Sequence, residues 1–165
     1  MNKAFTKEDD GTTPERLPDL PVSRHPNHVT ASGLAQLQTR RASLAATVHD
    51  LRARQDSLPN LHPLAVAERD LRYAEARLAS AILVDPPKGP ATKVTFGATI
   101  SVTHEDGTEK TYRIIGEDEA DPAQGLIPAP SPLARALLEA QVGDIVEWPK
   151  PSGTEELEVL SITYL

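Results

Sequence analysis

From residue 30 onwards the apolar positions fall at alternating intervals of three and four: Leu34, Leu37, Leu44, Val48, Leu51 and Leu58, with Arg41 and Gln55 filling two places in the series. That spacing draws one narrow stripe along a helix, the seam of a coiled coil. Thr30 or Ser32 can start the helix, because a hydroxyl accepts from an otherwise unpaired early N–H. The series breaks at Asp56-Ser57-Leu58-Pro59-Asn60-Leu61-His62-Pro63, where each proline lacks a donor and clashes with the preceding turn of a helix interior. It resumes at Leu64, Ala67, Leu71, Ala74, Leu78 and Ala81. Alternating Leu and Ala permits close approach of two antiparallel helices. Residues 29–85 are therefore predicted to form an antiparallel helical hairpin, with arms about 35 Å long. Arg40, Arg52, Arg54, Arg69, Arg72 and Arg77 are mixed with acids and expected mostly on its solvated faces.

Asp85-Pro86-Pro87-Lys88-Gly89-Pro90 cannot continue a helix, and residues 86–91 read as a stiff linker. Beyond it the period becomes two. Val94, Phe96, Ala98, Ile100 and Val102 alternate with small or polar residues, as in a half-buried strand. Glu105-Asp106-Gly107-Thr108 is a hairpin turn, because Asp-Gly tolerates positive φ, and 111–115 is the return strand. Ser131 at an N-cap and Pro132 in the first turn open a short helix from Pro132 to Ala140. Residues 144–148 and 156–162 read as two more strands joined at Ser152-Gly153. The predicted class is α+β: a helical hairpin, then residues 92–165 as a small antiparallel sheet covered by one short helix.

Charge sharpens this division. Residues 92–165 carry five Lys/Arg against thirteen Asp/Glu, whereas residues 30–85 are nearly balanced. An acidic half is a poor match for a nucleic-acid backbone and a better one for a basic protein surface. Residues 1–28, with prolines at 14, 18, 21 and 26 and little to bury, read as a flexible tail. Aromatics make up 4%, so the core rests on Leu, Val, Ile and Ala. The absence of cysteine excludes disulfides, thiolate catalysis and Cys-based zinc sites. No run approaches the length needed to span a membrane, Met1–Asp10 lacks the apolar stretch of a signal peptide, and a cytoplasmic protein is expected. No nucleophilic triad, Gly-rich phosphate loop or His/carboxylate cluster stands out, and His25, His28, His49 and His104 are scattered singly. Neither cofactor, metal nor catalytic residue is expected.

Several separate blocks in the C-terminal half carry a resemblance. Val94-x-Phe96-Gly97-Ala98, then Tyr112-Arg113-Ile114-Ile115-Gly116-Glu117-Asp118-Glu119-Ala120-Asp121, then Ser131-Pro132-Leu133-Ala134-Arg135-Ala136-Leu137-Leu138, then Val142-Gly143-Asp144 follow in order. Residues 92–165 closely resemble the C-terminal domain of the bacterial GreA/GreB transcription elongation factors, and the predicted hairpin matches that family's architecture. The resemblance implies an FKBP-like globular domain that docks at the rim of RNA polymerase's secondary channel, with the coiled coil entering the channel. It implies a monomer that contacts nucleic acid only indirectly, inside the transcription complex. Ser131, Pro132, Leu133, Ala134 and Arg135 match the family's polymerase-contacting segment, with Pro132 and Leu133 expected as exposed anchors. Glu117, Asp118 and Glu119 crowd like charges that a basic partner would relieve.

In the family, two acids at the hairpin tip help hold a second catalytic magnesium, and the polymerase then cleaves backtracked RNA. A hard divalent ion wants oxygen ligands, and the metal must be fixed beside a water nucleophile. This chain departs from the family there. Its tip, with Asp56, Ser57, Leu58, Pro59, Asn60 and His62, has one carboxylate; the next acids are Asp50 and Glu68. Its arms are also about six to eight residues shorter, roughly 10 Å of reach. The expectation is a polymerase-binding elongation regulator that does not stimulate cleavage and competes with factors that do. Two alternatives stand beside it: a cleavage factor acting through Asp56, and a short-coil paralogue resembling the regulator of nucleoside diphosphate kinase. Prolyl isomerase activity is set aside, because Phe96, Tyr112, Trp148 and Tyr164 are this half's only aromatics.

Overall fold

The computed structural model describes residues 15–54, Asp56 and 58–165, with the side chain of Leu58 excepted. Gln55 of the expected seam, Ser57 and the first fourteen residues of the expected tail lie outside the described residues. The chain forms two compact units: Leu37–Ala79 with the described residues up to Val22, and Ser23–Gln36 with Ser80–Leu165.

Two long helices dominate the first half, α1 (Ala31–Arg52) and α2 (Leu61–Ser80). Thr30 caps α1: its Oγ1 accepts from the Gly33 amide at 3.0 Å, while its carbonyl accepts the first helical bond from Leu34. The helix stops at Arg52, earlier than the run to Leu58 predicts. After a last α-type bond from Ala53 N–H to the His49 carbonyl, one tightened bond from Arg54 N–H to the Leu51 carbonyl ends it, and Asn60 Nδ2 then donates to the Arg54 carbonyl at 3.0 Å. Pro63 lies inside α2, contrary to expectation, because it falls in the first turn, where N–H groups have no helical acceptor.

The seam forms as its spacing predicts. Val48, Leu64 and Ala67 are buried together, with Leu51 and Leu71 packed against them. Arg52 reaches across to Glu68, with contacts of 2.7 and 3.0 Å, and the Arg40 guanidinium sits 6.0 Å from the Tyr73 ring centroid. The early half of each helix thus meets the late half of the other, an antiparallel hairpin. Arg77 is not on a solvated face: it is 1% exposed. Residues 15–22 carry no regular structure, yet Arg72 donates to Asp19 Oδ1 at 2.5 Å and to the Leu17 carbonyl at 2.7 Å. The described part of the expected tail therefore has fixed contacts.

In the other unit, β1 (His28–Val29) pairs in parallel with β2 (Ile82–Leu83). Five further strands build one sheet: β3 (Ala98–Thr103), β4 (Glu109–Ile115), β5 (Leu126–Pro128), β6 (Ile145–Lys150) and β7 (Gly153–Tyr164), in the order β5-β4-β3-β7-β6. The expected sheet was antiparallel throughout; β4 and β5 instead run parallel, because two short turns carry residues 117–124 back before β5 begins. The first strand starts at Ala98 rather than Val94. Gly97 has φ +89°, and residues 93–94 bond instead to the segment after the last helix, Val94 N–H to Ala140 O and Glu139 N–H to Val94 O. The helix α3 (Pro132–Leu137) ends three residues earlier than predicted: Leu138 already leaves the helical region, and Glu139 after it is left-handed with φ +68°. Ile100, Val102, Ile114, Leu157 and Val159 from the sheet and Leu137 from α3 are essentially sealed from solvent. Each such side chain contributes about 1.5–3 kcal/mol of burial.

Candidate functional site

Ser131 begins α3 as its N-cap, with Oγ accepting from the Ala134 amide at 3.2 Å, and Pro132 occupies the first turn. The helix turns its residues in opposite directions. Pro132 and Arg135 are exposed, while Leu133 at 6% and Ala134 at 0% belong to the core. Leu133 is therefore not an exposed anchor. The strong amphipathicity of a helix anchored at Ala134 and Leu137 forces its side chain inward.

Beside the start of α3 lies an apolar cavity of about 660 Å³. Ser131, Pro132 and Leu133 form one side of it; Tyr112 of β4 and Ile127 of β5 belong to its lining, and Trp148, Pro149 and Lys150 of β6 complete it. A concave apolar surface with few polar groups and two aromatic rings suits an apolar side chain of a partner.

Tyr112 and Trp148 are held by a polar network that single-sequence reading missed. His104 is 8% exposed. Its Nε2 lies 2.9 Å from the Tyr112 hydroxyl and its Nδ1 2.7 Å from Glu155 Oε1. Lys150 bonds the other oxygen of Glu155 and stands 5.0 Å from the Trp148 ring centroid. The hydrogen bond from Lys150, then that from His104, holds the Glu155 carboxyl below the usual glutamate range. Burial, then the Glu155 charge, pushes the Tyr112 hydroxyl up, so it keeps its proton at neutral pH. Both ring nitrogens of His104 are thus engaged, Nδ1 by the Glu155 carboxylate and Nε2 by the Tyr112 hydroxyl. A lone histidine gives no sequence signal for this; Tyr112 and Trp148, among the few aromatics, were the only hint.

Glu117, Asp118 and Glu119 form a single short turn after Gly116. Glu119 is spent inside the protein. Its carboxylate accepts from the Thr30 amide at 3.3 Å, from the Thr30 hydroxyl, and from the Gly116 amide at 3.2 Å. The three acids are thus not equivalent members of one exposed patch.

At the hairpin tip, Asp56, Pro59 and His62 are exposed, and Asn60 is half-buried with its amide closing the turn on Arg54. Asp56 is the only acid between Asp50 and Glu68, and Glu68 is engaged by Arg52. Among the described residues, no group of three His, Cys, Asp or Glu side chains could hold a metal.

Sequence comparison identifies the class of protein to which the chain corresponds. The family model described as "Transcription elongation factor, GreA/GreB, C-term" matches residues 89–164. Transcription elongation factor GreB of Neisseria meningitidis serogroup B is 46% identical over 99 residues, 59% of this chain and 61% of that protein. Transcription elongation factor GreA of Hyphomonas neptunium is 35% identical over 151 residues, 82% of this chain and 96% of that protein. GreA of Verminephrobacter eiseniae is 34% identical over 154 residues, 88% of this chain and 98% of that protein. A solved GreA/GreB structure from Nitrosomonas europaea is 24% identical, covers 83% of this chain and 98% of its own, and superposes with a TM-score of 0.42, too low to add weight. The chain belongs to the GreA/GreB family. It spans about three fifths of the length of the Neisseria GreB.

Proposed function

We propose that this protein is a transcription elongation regulator that binds RNA polymerase at the rim of the secondary channel and does not stimulate transcript cleavage. It acts as a binding protein rather than an enzyme, in the cytoplasm, as a monomer, and reaches nucleic acid only through the polymerase. Family membership supports the partner. The start of α3 supports the docking surface: Pro132 and Arg135 are exposed, and Ser131 and Pro132 edge an apolar cavity.

The tip carries the second half of the reading. A magnesium ion between protein and polymerase needs converging oxygen ligands. Asp56 is one; the next acid along the chain, Glu68, is held by Arg52. A hairpin with this tip occupies the channel without completing a metal site, and so competes with genuine cleavage factors.

The direct test is retention of core RNA polymerase by the immobilised protein. Pro132→Ala combined with Arg135→Glu alters two exposed positions without touching the Ser131 cap or the core. Strong retention that this double variant loses is the expected result. Absence of retention by the unmutated protein would end the proposal.

A further inference from the structure

The Thr30 side chain already caps α1, so starting the helix does not require Glu119. The carboxylate adds a tether. It accepts from the Thr30 amide at 3.3 Å and from the Thr30 hydroxyl, and it takes the Gly116 amide at 3.2 Å. Two glycines give up side-chain volume around this contact. A Cβ on Gly33 would lie 2.1 Å from Glu119 Cδ, and one on Gly116 would lie 2.8 Å from the His28 carbonyl oxygen. Glycine inside a helix costs about 1 kcal/mol relative to alanine, so α1 is weakened at Gly33 to admit the carboxylate. The second arm is joined at the same place. β1, just before α1, pairs with β2, just after α2, and Val84 N–H donates to the Val29 carbonyl at 3.0 Å. All these residues, with the first turn of α1, belong to the compact unit that carries the sheet and the groove. From that turn α1 runs unbroken to Arg52.

We propose that Glu119 is a positioning residue for channel entry, an inference that rests on the docking reading above. It makes the root of the hairpin part of the unit that docks, so that the arms follow the docked unit into the channel. Charge-assisted hydrogen bonds suit such a tether, being roughly twice as strong as neutral ones. Glu119 lines no part of the groove and acts through Thr30 and the first turn of α1. Without its carboxylate the docking surface is intact and the root of the hairpin is released.

The chain contains no cysteine, so a thiol introduced at the exposed tip by His62→Cys is unique to it. Its reaction with a polyethylene glycol maleimide, followed by the shift of this chain's band on a gel, reports whether the tip is shielded. Labelling of the full-length His62→Cys protein is expected to be suppressed when it is bound to core polymerase. Adding Glu119→Ala is expected to speed labelling in the complex about three- to tenfold, the worth of one net hydrogen bond, with retention of polymerase unchanged. Gly33→Ala, which evicts the carboxylate without removing it, is expected to act like Glu119→Ala. Glu119→Gln keeps a carbonyl acceptor for the Thr30 and Gly116 amides and is expected to preserve the shielding. Equal shielding with and without Glu119→Ala overturns the proposal. So does a loss of retention in step with the loss of shielding, which a merely structural role would give. A tip that labels freely in the His62→Cys complex itself sinks the channel reading, an outcome seen before any change at Glu119 is made.

Discussion

The Glu119 carboxylate closes the N-terminus of α1 from 89 positions away, accepting from the backbone amide of Thr30 at 3.3 Å. Gly33 makes room for it: a Cβ there would lie 2.1 Å from Glu119 Cδ. Glu119→Ala is expected to destabilise the protein by about 1–2 kcal/mol, the value of a charge-assisted cap. Gly33→Ala, which would evict the carboxylate, is expected to destabilise the wild type but to be neutral or stabilising alongside Glu119→Ala. A double-mutant cycle by urea unfolding checks the coupling, and additive effects would show that the two residues act independently.

Leu137 and Pro132 belong to the same short helix and should behave in opposite ways. Leu137 is fully buried, so Leu137→Ala should cost about 2–5 kcal/mol in unfolding free energy. Pro132 is exposed, and Pro132→Ala should leave stability within about 0.5 kcal/mol. Thermal melts of the two variants decide this.

Much of this division could be read before any coordinates. The three-four spacing of Val48, Leu51, Leu64, Ala67 and Leu71 fixed the seam because helical periodicity depends only on neighbours in sequence. Asp106-Gly107 likewise fixed its hairpin. Long-range relations were not legible. Nothing local to Arg77 says that a charged residue at that helix position is buried, and nothing near Glu119 says that its partner is Thr30. The parallel placement of β5 depends on where residues 117–124 travel, which no alternation pattern encodes. At the candidate site, Ser131 as a cap and Pro132 in the first turn followed from local rules. The inward turn of Leu133 and the role of His104 depend on side chains from distant strands.

Arg72 ties the stretch before α1 to α2 through Asp19 and the Leu17 carbonyl. The hydrogen bond from Arg72 keeps the Asp19 carboxyl below its ordinary range, so this tie persists at neutral pH. Arg72→Ala should free the segment, raising the rate of tryptic cleavage after Arg16 by roughly two- to fivefold, as expected for a surface ion pair. Unchanged cleavage would show that the tie restrains nothing.

Glu155 gives the stability a pH signature. Its folded-state carboxyl titrates below the ordinary glutamate value of 4.5, so its contribution is complete above that value and is lost as pH falls through the lower folded one. Glu155→Gln removes the group that binds a proton on unfolding. Unfolding midpoints between pH 7 and pH 3 should therefore fall less steeply for Glu155→Gln than for the wild type. Parallel profiles would contradict the assignment.

The central claim is that the hairpin reaches the channel without the oxygens a catalytic magnesium requires. Release of short 3′ RNA fragments from backtracked elongation complexes, measured with and without an authentic cleavage factor, tests it most directly. The protein alone is expected to leave the RNA intact, and in excess to suppress cleavage by the authentic factor. Stimulated fragment release by the protein alone, abolished by Asp56→Ala, would contradict the account.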